Sequence, residues 1–319
     1  MTTKSQEQNQ KELEALESLE PSTGLGTVNK DEILKPKGAP DARLSFLSHI
    51  EIEKSNMNYG AMFYPENWIF KARAATGEEV VALSTINAED PLSVDEGINE
   101  VLFACLRIED KKTKKIIDVE NIYEFDRLWF LLFIRDLTMQ NKENDISWKV
   151  GCHHCEVKEM EIKLSFDSLV ARPLSEIAKK YFNPSTQSFE VRTKSFGILK
   201  FQPTTIKRAK IYKDYLMSCA EKRINPDKKF MSMFPILINS DNENATDPEI
   251  TLYTEYRRVI ADLNLYSLYK NLQTELHVGI AESIKHTCEK CRKEGSYEIT
   301  FPNGLHNIFV ISDINSELL

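Results

Sequence analysis

Gly151-Cys152-His153-His154-Cys155 and Thr287-Cys288-Glu289-Lys290-Cys291 decide how this chain is read. Each is a C-x-x-C, and Cys288 follows Cys155 by 133 positions. One such pair is a weak signal. Two pairs, each preceding a strand-like run, match the paired knuckles that bring four thiolates to a tetrahedral zinc ion. The first lies between Ile146-Ser-Trp-Lys-Val150 and Met160-Glu-Ile-Lys-Leu164. Both runs alternate apolar and polar residues, the period of a half-buried strand. The second is followed by Tyr297-Glu-Ile-Thr-Phe301, which alternates likewise. The pattern predicts a zinc ribbon split across the chain, with Cys152, Cys155, Cys288 and Cys291 binding one structural Zn2+.

Two other chemistries use this spacing. A redox dithiol opens a helix after a strand, where the helix N-terminus lowers the thiol pKa, and neither pair precedes an obvious helix. A disulfide framework needs an oxidising compartment, and the first ten residues hold no hydrophobic signal core. A catalytic zinc keeps one position for water, whereas four cysteines close the site. His153 and His154 stand between the first two thiols, too tightly spaced to be easy ligands, and are expected to face solvent.

The 319 residues are 41% hydrophobic and 28% charged, an ordinary globular balance. A net charge of −8 argues against bulk attraction to nucleic acid. No apolar run reaches the length of a membrane span. Cys105 and Cys219 fall in apolar helical settings and read as small packed hydrophobes.

Residues 1–40 are polar and punctuated by Pro and Gly, and are expected to form a disordered tail; a short docking helix with Leu13, Leu16 and Leu19 on one side is the sharper alternative. A core domain is expected over 41–168 and 286–319, with 169–285 inserted as a mixed α/β region. In the core, Tyr59–Tyr64 and Trp68–Arg73 flank Pro65-Glu-Asn67 as a hairpin. Thr76-Gly-Glu-Glu79 reads as a capping box, and Ser93-Val-Asp-Glu96 repeats its spacing. Ile98, Val101, Leu102 and Cys105 then form a packed helical stripe. Asp110–Lys115 is a solvated basic turn. A helix spans Asn121–Met139. Its apolar residues cover most of the circumference, so it should be buried on several sides, with Arg135 paired to a carboxylate.

The order of these features carries a resemblance. Asp126-Arg-Leu-Trp-Phe-Leu-Leu-Phe-Ile-Arg135, a short polar stretch, and Ile146-Ser-Trp-Lys-Val-Gly-Cys-His-His-Cys155 resemble the bacteriophage T4-type baseplate hub proteins, in which an aromatic helix ending in Ile-Arg leads into a C-x-x-C. The likeness covers about residues 58–165 and the second knuckle. The chain departs from it in lacking a Gly soon after Arg135 and in carrying a longer tail and central insert. The resemblance implies a non-enzymatic phage tail protein. It would be a hub component or hub-assembly factor, with other hub or tape-measure proteins as partners. It also implies the host cytoplasm during assembly, or the virion baseplate if the protein is retained.

In the insert, Phe189–Thr193 and Ile198–Phe201 flank Ser195-Phe-Gly197 as a hairpin, and Thr205 caps a helix through Ile206, Ala209, Tyr212, Leu216 and Cys219. This order echoes residues 59–83 and raises an internal duplication. Lys207, Arg208, Lys210 and Lys213 read as a solvated basic face. Residues 239–248 form an acidic loop, and Pro248 opens a long helix. Leu305 to Ile311 should pack or bind a partner. No nucleotide-binding loop, zincin or nucleophile-elbow motif occurs, so no catalytic residue, small-molecule substrate or organic cofactor is expected. A zinc-ribbon nucleic-acid-binding regulator and a redox-dithiol enzyme are the readings from other classes.

Overall fold

The computed structural model describes residues 48–139, 146–193, 197–227, 237–238, 267, 278–301 and 304–309, all within one compact unit, Phe46–Leu319. The tail, the acidic loop and the helix expected from Pro248 lie outside the described residues. The class is α+β.

Strands β1 (Ile50–Ile52), β2 (Trp68–Ala72), β3 (Leu106–Asp110) and β4 (Ile116–Ile117) form an antiparallel sheet in that order. Between β2 and β3 come helices α1 (Gly77–Ser84) and α2 (Pro91–Cys105). Thr76 and Glu79 make the capping box at the start of α1, and the Glu79 carboxylate also takes the Arg73 guanidinium at 2.6 Å. That pairing and the Thr76 hydrogen bonds outweigh burial and bring the Glu79 carboxyl down to about 2. Helix α2 starts earlier than Ser93. Asp90 accepts from the Leu92 N–H at 3.1 Å and Pro91 takes the first turn, where its missing N–H costs nothing. Ile98, Val101, Leu102 and Cys105 are all buried as the stripe predicts. Burial pushes the Cys105 thiol up to about 11, which suits a packed hydrophobe.

The expected hairpin before β2 is absent. Tyr59, Gly60 and Ala61 have φ of 54°, 59° and 57°, three consecutive left-handed residues that no strand can contain. Phe63 and Tyr64 are both buried, at 1% and 3% exposure, whereas a strand would send one of them outward. β2 finds its partners in β1 and β3 instead. The proposed duplication loses its first half here.

Helix α3 (Arg127–Thr138) follows two 3-10 turns rather than running from Asn121. It is buried on several sides: Phe130, Leu131, Leu132 and Ile134 are each 0% exposed, and Trp129 2%. Arg135 Nε donates to the Ile308 carbonyl at 2.6 Å, and its Nη1 lies 3.7 Å from the Asp136 carboxylate. The guanidinium pairs with a carboxylate as expected and also holds the C-terminal segment through Ile308. Ile308 and Phe309 are buried, and the turn Leu305–Asn307 touches α1 and α2. At the start of α3, Asp126 is fully buried between Asn58 Nδ2 (2.8 Å) and the Tyr64 hydroxyl (2.7 Å). Burial pushes its carboxyl up to about 7 despite both donors.

Two hairpin strands come next, β5 (Ile146–Val150) and β6 (Met160–Leu164). Helix α4 (Glu176–Tyr181) leads into β7 (Phe182–Asn183), β8 (Ser188–Thr193) and β9 (Gly197–Phe201). With β10 (Leu237–Ile238) they form a second antiparallel sheet, ordered β10-β9-β8-β7. Helix α5 (Ile206–Glu221) starts at Thr205, whose hydroxyl accepts from the Arg208 N–H at 3.2 Å. Its expected basic face is split. Lys213 reaches Glu96 and Lys210 reaches Glu120, but Arg208 is 0% exposed. Position 208 follows Thr205 by three residues, close to one helical turn, so the two share a side of the helix, and Thr205 is buried as well. The middle of the chain shares one apolar core with the N-terminal sheet: Phe63 lies 5.4 Å from Phe182 and 5.6 Å from Phe189, ring to ring. The last hairpin is β11 (Ser283–Thr287) and β12 (Glu294–Glu298). No helix among the described residues is long and apolar enough to cross a membrane.

Candidate metal centre

Each C-x-x-C is the turn of an antiparallel hairpin. In the first, Val150 pairs with Met160; in the second, Thr287 pairs with Glu294. The second strand of the latter begins three residues earlier than its alternation predicts. Arg292 adopts φ 56°, which closes the turn quickly enough for pairing to start at Glu294. Both knuckles close through the same backbone contact: Cys152 N–H donates to the Val157 carbonyl at 2.8 Å, and Cys288 N–H to the Lys293 carbonyl at 3.1 Å. An N–H at residue i bonded to the carbonyl at i+5 folds each pair of thiols inward. The His154 N–H also approaches the Cys152 sulfur at 3.4 Å.

The two turns meet. Cys152 Sγ lies 3.7 Å from Cys291 Sγ, and Cys155 Sγ lies 3.7 Å from Cys288 Sγ. All four sulfurs fall within 4.8 Å of one another, a group able to hold a metal ion. The four residues the sequence singles out as ligands are thus brought together, across 133 positions in one case and 139 in the other. The separations are far beyond a sulfur–sulfur bond of about 2 Å, so these are thiols and not disulfides. Cys288 is buried and the other three are half-buried.

The four thiols act on one another's protons. The His154 N–H, with the neighbouring thiols, draws Cys152 down to about 6. Cys155 has the Val157 N–H in its favour, yet desolvation and the three other sulfurs drive it up to about 11. One thiolate is welcome here; a second must form against the charge of the first. A bound ion removes that conflict.

His153 and His154 are exposed, as expected. Both nonetheless touch the other hairpin. His154 Nε2 lies 3.0 Å from the Glu294 carbonyl, and the His153 ring stands 4.6 Å from that of Tyr297. Tyr297 and Gly295 belong to the surroundings of the cluster and were not singled out by spacing. Their signal is a Gly-x-Tyr on one face of a strand directly after a knuckle. No protein-family model matches the chain, and no curated protein or solved structure shows significant similarity to it.

Proposed function

We propose that Cys152, Cys155, Cys288 and Cys291 hold one structural zinc ion that locks a split ribbon, and that the protein is a non-enzymatic interaction protein of a phage tail, a baseplate hub component or hub-assembly factor. The observation that carries the metal reading is the convergence of four sulfurs from two distant hairpins, all within 4.8 Å of one another. Sulfurs about 2.3 Å from a central zinc sit about 3.8 Å apart along a tetrahedral edge. The two 3.7 Å separations between the hairpins fit that figure. Soft thiolates in this geometry select zinc over hard oxygen-loving cations. Four protein ligands make the site a closed, structural one.

The hub reading rests on the order of aromatic helix, Ile-Arg and knuckle. The zinc-ribbon nucleic-acid-binding reading is disfavoured by the net charge of −8 and by the pairing of Lys210 and Lys213 with Glu120 and Glu96. Metal analysis of purified protein is expected to give about one zinc per chain; two metals, or none with the thiols free, would overturn the site. Purification from phage-infected cells should bring hub and tape-measure proteins with it. Recovery of nucleic acid instead, with a salt-dependent affinity, would replace the hub reading with the regulator.

A further inference from the structure

Strand β12 places Gly295 and Tyr297 on the same, buried face, two residues apart. The Tyr297 side chain does not stand straight off the strand. It lies back along it toward the knuckle, over the space that Gly295 leaves: a Cβ built on Gly295 would fall 2.6 Å from the Tyr297 hydroxyl oxygen and 2.8 Å from two of its ring carbons. Any side chain at position 295 would expel the ring. The ring is 3% exposed and the His153 imidazole covers it from the first hairpin.

This delivers the hydroxyl to an unusual place. Its oxygen is buried and completes no hydrogen bond among the described residues. Leaving a buried hydroxyl unmade costs about 1–3 kcal/mol, so such an atom calls for a partner. The groups that bear on it are the His153 backbone N–H and the sulfurs of Cys152 and Cys288. As thiols those sulfurs are weak acceptors. As metal-bound thiolates they carry no proton, keep charge, and accept.

We propose that the Tyr297 hydroxyl donates a hydrogen bond to the Cys152 thiolate of the metal-loaded cluster, making Tyr297 a positioning residue that orients this ligand and tunes its electron donation. The inference rests on the metal reading above. It explains why an unfilled position at 295 and a buried, unmatched hydroxyl occur together beside the thiols. Groups that hydrogen-bond metal ligands typically change affinity by about 10–100-fold when removed.

The test uses cobalt(II) as a spectroscopic substitute on the full chain. Wild-type protein should take up one cobalt with sulfur-to-metal charge-transfer absorption. Tyr297→Phe keeps the ring and the packing. It should bind cobalt about 10-fold more weakly in competition with a chelator, and its charge-transfer band should move to lower energy, because a thiolate stripped of a hydrogen bond gives up its electrons more readily. A residue that only packs would leave the band where it is. Incorporating 3-fluorotyrosine at position 297 preserves volume and strengthens the donor, so the band should move the opposite way; this arm decides the matter should the Phe variant not fold. Uptake of cobalt with bands unmoved in these variants overturns the inference alone. Failure of the wild-type chain to bind cobalt at all overturns the metal reading and this inference with it.

Discussion

Replacing Cys288 by Ser removes the buried member of the thiol cluster and should damage a region far from it in sequence. What holds the two knuckles together, apart from an ion, is slight. His154 Nε2 lies 3.0 Å from the Glu294 carbonyl and the His153 ring packs on Tyr297, contacts worth about 1 kcal/mol each. The sulfur–sulfur contacts at 3.7 Å are weaker still. A structural zinc supplies on the order of 10 kcal/mol, comparable with the whole net stability of a domain. On the proposed reading, a bound zinc would therefore decide whether the hairpins stay joined. With Ser at position 288 the site loses its fourth thiolate, and the first hairpin should open along with the second. Limited trypsin digestion reads this directly. Lys149, Lys158 and Lys163 lie in or beside the first hairpin, and Lys285, Lys290, Arg292 and Lys293 in the second. New cuts are expected in both groups, with fluorescence changes at the buried Trp148. Cuts confined to the second group, with the first protected as in the wild type, would refute a shared metal and the split ribbon with it.

Other outcomes follow from single residues. Asp126 keeps its proton up to about pH 7 when folded and loses it near 3.8 when unfolded, so the folded state holds more protons in between. This group's contribution, about 4 kcal/mol, is present below pH 4 and is lost as pH rises to 7. Asp126→Asn should remove that slope: the stability difference between wild type and variant, from urea denaturation at pH 4.5 and pH 8, should shift toward the variant at the higher pH, and a constant difference would count against the burial argument. Glu79 acts in the opposite sense and lower down, its contribution being present above about 4.5 and lost as pH falls toward 2. Gly60 and Gly77 should respond with opposite signs. Neither has any atom within 4 Å of a built Cβ, but Gly60 sits at φ 59°. Gly60→Ala should cost about 1–2 kcal/mol and Gly77→Ala should gain about 0.5 kcal/mol in thermal melts; like signs would mean that backbone conformation is not the controlling factor.

Where one face of an element meets the core, alternation was a sufficient guide. Ile146–Val150 and Met160–Leu164 pair over their full expected lengths because Trp148, Met160, Ile162 and Leu164 point to one buried side. The clustering of the four cysteines was legible because C-x-x-C is the local spacing that metal-holding knuckles use. Other features have no such local signature. The left-handed run at Tyr59–Ala61 is held by distant contacts, among them the Tyr59 hydroxyl, which accepts from the Gly279 N–H at 2.9 Å. Strand β3 follows α2 without a turn residue to announce it. Asp126 and Arg208 look like surface charges in sequence, and only tertiary packing buries them. Tyr297 looks like an ordinary strand aromatic until Gly295 is seen beneath it.

The distance between the half-sites has a consequence for biosynthesis. From Cys155 to Cys291 the ribosome must add 291 − 155 = 136 residues. At about 5–20 residues per second this takes about 7–27 s. Throughout that interval Cys152 and Cys155 form a naked dithiol on a nascent chain, and α3 waits for Ile308 to reach Arg135, 173 positions apart. The rings of α3 can already pack on Phe70 and Phe166, but its Arg135 end lacks this partner until Ile308 emerges. Chaperone occupancy on ribosome-bound chains should therefore persist until Ile308 has emerged, and oxidants should harm this protein most while it is being made.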